Sequence, residues 1–257
     1  MNTIKFENLE FDSSLFGFRV VKILESSYPS YYQWKELWQI FQEQKIELAY
    51  WQIDQNSNQD CKLLNKTATF FNHFLVSKQV TYAIDLKNLP NLSTNSSIEP
   101  YLPTNNPSLE MYDLATQIGM LSRFGTDPNL PKKLCNKMYH SWIRNSVNRS
   151  VAKEVLVIKD SKSRVIGMIT IGIKQDYGII GLVAVDPKYR GQKIGTKLVI
   201  AAQDYFARRN YKKLIVITQK ANYPACNLYE KCGFSREKID NYYHFWPLLR
   251  EFHSIKI

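Results

Sequence analysis

The stretch "VDPKYRGQKIGTKLV", residues 185–199, decides the fold. It leaves a β-branched run, turns through Pro187 and Gly191, and starts a helix whose Ile194, Leu198, Ala201, Ala202 and Tyr205 share one stripe. Pro and Gly alone would serve as punctuation between a strand and a helix. The first helical turn adds something more. Arg190, Gly191, Gln192, Lys193, Ile194, Gly195 and Thr196 combine small residues with two cations. They sit at the helix end where backbone amides lack intrahelical partners and the dipole is positive. Such a turn suits a pyrophosphate. Spacing alone leaves two readings open, an anion cradle or a plain connection.

Composition narrows the class. The 257 residues admit one large domain or two modest ones, and 44% hydrophobic content supplies a core. No apolar run approaches the roughly 20 residues that cross a bilayer. The start "MNTIKFENLEFDSS" lacks a basic region followed by an apolar one, so no signal peptide is read and a cytoplasmic location is expected. Cys61, Cys135, Cys226 and Cys232 form no CxxC pair and no ligand spacing with His, so free thiols are expected and no metal site. Against 34 Lys and Arg stand 23 Asp and Glu, a formal charge of +11 that favours anionic partners. Basic residues never run beyond two in succession, and no nucleic-acid-binding signature is present. Phosphorylated small molecules fit this diffuse basicity at least as well as nucleic acid.

Periodicity orders the elements. Residues 18–24 ("FRVVKIL") read as a strand, residues 32–44 as a helix with Trp34, Leu37, Trp38 and Phe41 at helical spacing, and residues 46–53 and 79–86 as strands. Residues 87–108 carry four prolines among Asn and Ser and read as a linker. The expected division is therefore a small α/β domain over 1–90, a linker over 91–107 and a larger domain over 108–257. In the larger domain Ser108 is placed to cap a helix over 109–122, and Pro131 to open a second through about 147. Strands follow near 153–159, 164–174 and 177–185, then the quoted turn, a helix to about 209, a strand over 212–219, a helix over 223–232 and a last strand including 244–249. This order predicts an α/β fold, a mixed and mostly antiparallel sheet with helices on both faces.

A second stretch, "NYPACNLYEKCGF" (residues 222–234), joins the first. Together they resemble the GNAT superfamily of acetyl-CoA-dependent N-acetyltransferases. Arg190 and Gly195 match the ends of its Arg/Gln-x-x-Gly-x-Gly/Ala signature, and Lys193 stands where the middle Gly is usual. Asn222, Ala225, Leu228, Tyr229, Gly233 and Phe234 match its last core helix in full. The resemblance implies the GNAT fold, and acetyl-CoA as co-substrate with no metal. It implies a splayed strand at Leu182, Val183, Ala184 and Val185 that pairs with the pantetheine arm and offers an amide to the thioester carbonyl. It also implies Asn222 on the cofactor arm and Tyr229 as the acid that protonates the leaving thiolate. A packing role for Tyr229 and a plain capping role for Asn222 are the alternatives. No base stands out; Glu110, Asp127, His140 and Asp176 are the candidates.

The residues around this core resemble the dTDP-fucosamine acetyltransferase family. The resemblance lies in "FDSSLFG" (residues 11–17), in Ser122-Arg123-Phe124 and in the aromatic-x-x-Trp-Ile helix at "YHSWI" (residues 139–143). It implies a nucleotide-linked 4-amino-4,6-dideoxy sugar as acceptor and a role in surface-polysaccharide synthesis. Arg123 and Phe124 are then the expected acceptor contacts, and a homodimer is common among such enzymes. The competing readings are another amine acceptor (a UDP-linked amino sugar, a peptide N-terminus or a small amine) and a non-catalytic acyl-CoA sensor.

Overall fold

The computed structural model describes residues 4–56, 73–87, 97–104 and 106–248. Its elements are β1 (Phe6–Asn8), α1 (Glu10–Phe16), β2 (Arg19–Ile23), α2 (Tyr31–Glu43), β3 (Ile46–Asp54), β4 (His73–Asp85) and β5 (Ile98–Pro100). There follow α3 (Leu109–Met120), α4 (Lys132–Val147), β6 (Glu154–Lys159), β7 (Val165–Lys174) and β8 (Tyr177–Val185). A 3-10 turn (Pro187–Tyr189), α5 (Ile194–Ala207), β9 (Lys213–Gln219), α6 (Tyr223–Lys231) and β10 (Ser235–Phe245) complete the chain. Two units share these elements: Met1–Lys78 with Asp127–Asn129 and Ile239–Ile257, and Gln79–Thr126 with Leu130–Lys238.

In the first unit the strands lie in the order β1-β2-β3-β10. Among these described strands only β2 and β3 run parallel, and α2 is the crossover that a parallel pair requires. The helix buries Trp34, Leu37 and Phe41, and its start is fixed by a capping box between Ser30 and Gln33. Trp34 stacks on Phe245 at 4.9 Å and meets Trp51 edge-on at 5.3 Å, so the last described strand closes the core that α2 opens.

The second unit orders its strands β5-β6-β7-β8-β9, with residues 79–85 of β4 antiparallel to β9. Here β8 and β9 are the parallel pair and α5 their crossover. Every residue of β7 from 165 to 172 is buried, as in a strand covered on both faces, and α3 and α5 both pack on β7 and β8. Close approach of α5 depends on Gly178, where a Cβ would sit 2.7 Å from the Phe206 ring. The mixed, mostly antiparallel α/β architecture expected from the sequence is the one observed.

The division of the chain departs from the expected one. Residues 79–85 pair with β9, and β5 pairs with β6 inside the stretch assigned to a linker, where Arg149 also binds the Tyr101 carbonyl. Residues 240–245 of β10 pair with β3, which returns this part of the chain to the first unit. These pairings are long-range, and local composition carries no trace of them. The rest of the expected linker, residues 88–96 and 105, lies outside the described residues. Smaller corrections follow. The last strand starts at Ser235 and stops at Phe245, and Leu249 lies outside the described residues. Ser108 occupies the N-cap of α3 without a side-chain cap bond, and Pro131 is the N-cap of α4. Cys135, Cys226 and Cys232 are free thiols, whereas Cys61 lies outside the described residues. Among the described residues no helix is long and apolar enough to cross a membrane.

Candidate active site

The site begins where β8 and β9 part. They pair only at Gly178, Ile179 and Ile180, against Leu214, Ile215 and Val216. Beyond that point β9 stays with β4 as far as Gln219, while β8 stays with β7 as far as Val185. A register shift between Ile169 and Ile171 accompanies the parting. There the Leu182 amide donates to Thr170 Oγ1 at 2.8 Å instead of to a backbone carbonyl, and a Cβ on Gly181 would lie 2.6 Å from that oxygen. Farther on, the Asp186 amide donates to Ile166 of β7. Strand groups alternate in direction, so the amides of Val183 and Val185 point away from β7 and into the opening.

The loop after β8 is built to leave amides free. Asp186 accepts from the Lys188 amide at 2.8 Å and starts the 3-10 turn. Gly191 (φ +80°) and Lys193 (φ +59°) are left-handed, and the first intrahelical bond of α5 is Lys197 N–H to the Lys193 carbonyl at 3.0 Å. The amides of Gly191, Gln192, Lys193, Ile194, Gly195 and Thr196 therefore have no acceptor among the described residues. Arg190 is held beside them by the Val185 carbonyl (3.2 Å) and Gln117 Oε1 (3.1 Å). Gly195 permits α6 to approach, since a Cβ there would meet Leu228 at 3.2 Å.

Across the opening β9 ends at Gln219 and Asn222 caps α6, accepting from the Ala225 amide at 3.3 Å. That bond uses its carbonyl oxygen and leaves the amide nitrogen as a donor. Tyr229 is 4% exposed, its ring lying 6.0 Å from Tyr82 and 5.9 Å from Phe234. Its hydroxyl makes no hydrogen bond among the described residues. Burial pushes it well above the ordinary tyrosine range, so it stays protonated at neutral pH.

A strand splayed from its parallel neighbour, followed at once by a run of acceptor-free amides, coincides with a family match. Residues 124–234 match the Acetyltransferase (GNAT) family model. The chain has the GNAT fold. Its fold is that of a solved GCN5-related N-acetyltransferase from Sphaerobacter thermophilus, with a TM-score of 0.57 at 14% identity, over 94% of this chain and 76% of that one. The spore coat polysaccharide biosynthesis protein SpsD of Bacillus subtilis is 30% identical over 135 residues, 52% of this chain and 46% of that protein. N-alpha-acetyltransferase 30 of Saccharomyces cerevisiae is 43% identical over 61 residues, 24% of this chain and 35% of that protein. The chain thus spans less than half the length of either of these two curated relatives.

The expected acceptor pair separates in character. Phe124 is 1% exposed and packs 6.0 Å from Trp142, so its ring is core and presents no face to a ligand. Arg123 is half-buried, with its guanidinium 4.2 Å over that same ring. The base candidates also disperse. Asp127 belongs to the first unit, where it is buried between His244 Nδ1 (2.6 Å) and Trp246 Nε1 (3.1 Å). Asp176 sits in the exposed β7–β8 turn, seven residues or roughly 23 Å along the strand from Val183. Glu110 lies in the first turn of α3, and His140 bonds Thr116 Oγ1 at 2.8 Å. Thr170 and Gln117 are contributors that the sequence reading passed over. An isolated Gly181 within a β-branched run is the one local sign of the bulge.

Proposed function

We propose that the chain transfers the acetyl group of acetyl-CoA to the amino group of a dTDP-linked 4-amino-4,6-dideoxy sugar, by direct attack within a ternary complex. The observation that carries this reading is the opening between β8 and β9, set directly before the unpaired amides of residues 191–196. Those amides, with Arg190 and Lys193, hold the diphosphate of acetyl-CoA at the positive end of α5. The Asn222 amide nitrogen donates to the cofactor arm, and the Val183 amide donates to the thioester carbonyl as its oxygen gathers charge. The acceptor amine attacks the carbonyl carbon, a new C–N bond forms and the C–S bond breaks. The electron pair leaves on sulfur, and Tyr229, held protonated by its burial, delivers a proton to the thiolate. The proton lost by the attacking nitrogen passes to solvent, from which Tyr229 is reprotonated.

The sugar acceptor is supported by the resemblance at residues 11–17, 122–124 and 139–143 and by the likeness to a polysaccharide biosynthesis protein. A second reading, a peptide N-terminal amine, is favoured by the local 43% identity to an N-alpha-acetyltransferase. Thiol release from acetyl-CoA, followed with dTDP- and UDP-linked 3-amino and 4-amino sugars and with short peptides, separates the two. Release with a dTDP-4-amino-6-deoxy sugar is the expected result. Release with peptides alone would replace the sugar reading, and silence with bound acetyl-CoA would leave a small-amine acceptor or the sensor.

A further inference from the structure

A cavity of about 660 Å³ lies on the second unit between α3 and α4. Tyr112, Lys133, Asn136, Lys137, His140 and Arg144 line it. Five of these share one face of α4 at helical spacing, and no carboxylate is among them. Lys133 and Arg144 are exposed and form no ion pair among the described residues. Tyr112 and His140 make an aromatic wall, their rings 4.9 Å apart, and Thr116 Oγ1 holds the His140 ring at 2.8 Å. The arrangement has a cationic floor and a flat wall, in a volume typical of small-molecule sites. Its chemistry matches a nucleoside diphosphate, with phosphate oxygens on Lys and Arg and a ring against Tyr112.

We propose that this cavity binds the nucleoside diphosphate of the acceptor, an inference that rests on the nucleotide-sugar reading above. The diphosphate of acetyl-CoA already has the amides of residues 191–196, which leaves Lys133 and Arg144 to a second anion. The two sites are tied through α3. Gln117, which holds Arg190, lies five residues from Tyr112, about 8 Å along the helix axis.

The test is titration calorimetry of the whole chain with dTDP and, separately, with acetyl-CoA, comparing the natural sequence with a Lys133→Gln, Arg144→Gln double variant. Both positions are exposed, and a thermal melt checks that the variant folds. The expected result is a Kd for dTDP raised at least 30-fold with the Kd for acetyl-CoA changed less than about 2-fold. Unchanged dTDP affinity overturns the proposal, and so does failure of the natural chain to bind dTDP. A parallel loss of acetyl-CoA affinity, absent with dephospho-CoA, also overturns it and gives the cavity to the 3′-phosphate of CoA. Variant-sensitive dTDP binding without transfer to any amino sugar supports the cavity while removing the proposed acetylation.

Discussion

At Tyr229 one feature of the environment does two things. Burial removes the stabilisation that water gives a phenolate, so the proton stays on oxygen, and it places that oxygen where no group of the described residues competes for it. A proton donor in acyl transfer contributes roughly 100-fold or more. Tyr229→Phe is therefore expected to lower kcat about 100-fold with the Kd for CoA within 2-fold, as steady-state kinetics and calorimetry will show. A loss in Kd with kcat preserved would make Tyr229 a packing residue. Lys193 raises the opposite matter, a side chain where the backbone favours glycine. Its φ of +59° costs an L-residue about 1 kcal/mol that glycine avoids. Lys193→Gly is expected to raise the unfolding free energy by about that amount in urea titration while weakening CoA binding a few-fold through the lost charge.

Among the elements, β8 does the most with the least. Its first residues pair with both neighbours, its last with only one, and the change falls at Gly181 and Leu182. The strand also depends on close packing under α5. At Gly178 any methyl would meet three ring atoms of Phe206 within 2.8 Å, and a ring backed by core has little room to yield. Gly178→Ala is expected to cost about 2 kcal/mol of stability, read as a lowered urea midpoint at unchanged slope. An unaltered midpoint would mean that α5 shifts freely. The limits of sequence reading follow the same local logic. The run from β6 to α6 was legible because strand alternation, the Gly-rich turn and the helix stripe are written within neighbouring residues. The β10–β3 and β5–β6 pairings were not, since pairing partners far apart in the chain leave no local mark. Phe124 was misplaced for a related reason: an aromatic next to Gly in a loop reads as available, and only Trp142, packed against it from α4, shows that it is covered.

The molecule as a whole carries an acid sensitivity set by the first unit. His73 is 5% exposed among Trp34, Tyr243 and Phe245, and burial lowers it from 6.5 to about 4. Between those values the unfolded chain holds the proton and the folded chain does not. Stability is thus full above about pH 6.5, falls as the pH drops, and levels off below about 4. The two values correspond to a loss of about 3 kcal/mol. Urea midpoints at pH 7 and pH 4.5 should show most of it, and His73→Phe should flatten the difference; an equal slope in that variant would assign the effect elsewhere. Finally, the strand that closes the Trp34–Trp51 cluster is the last of the described strands to be synthesised, although it pairs with β3 near the start of the chain. On the ribosome β3 must wait with an open edge, its Tyr50, Trp51 and Ile53 uncovered, until residues 240–245 clear the exit tunnel. The segment made first is thus completed last, and a message truncated after the codon for Phe234 would yield a chain with the whole family-matched segment and an exposed, chaperone-dependent first unit.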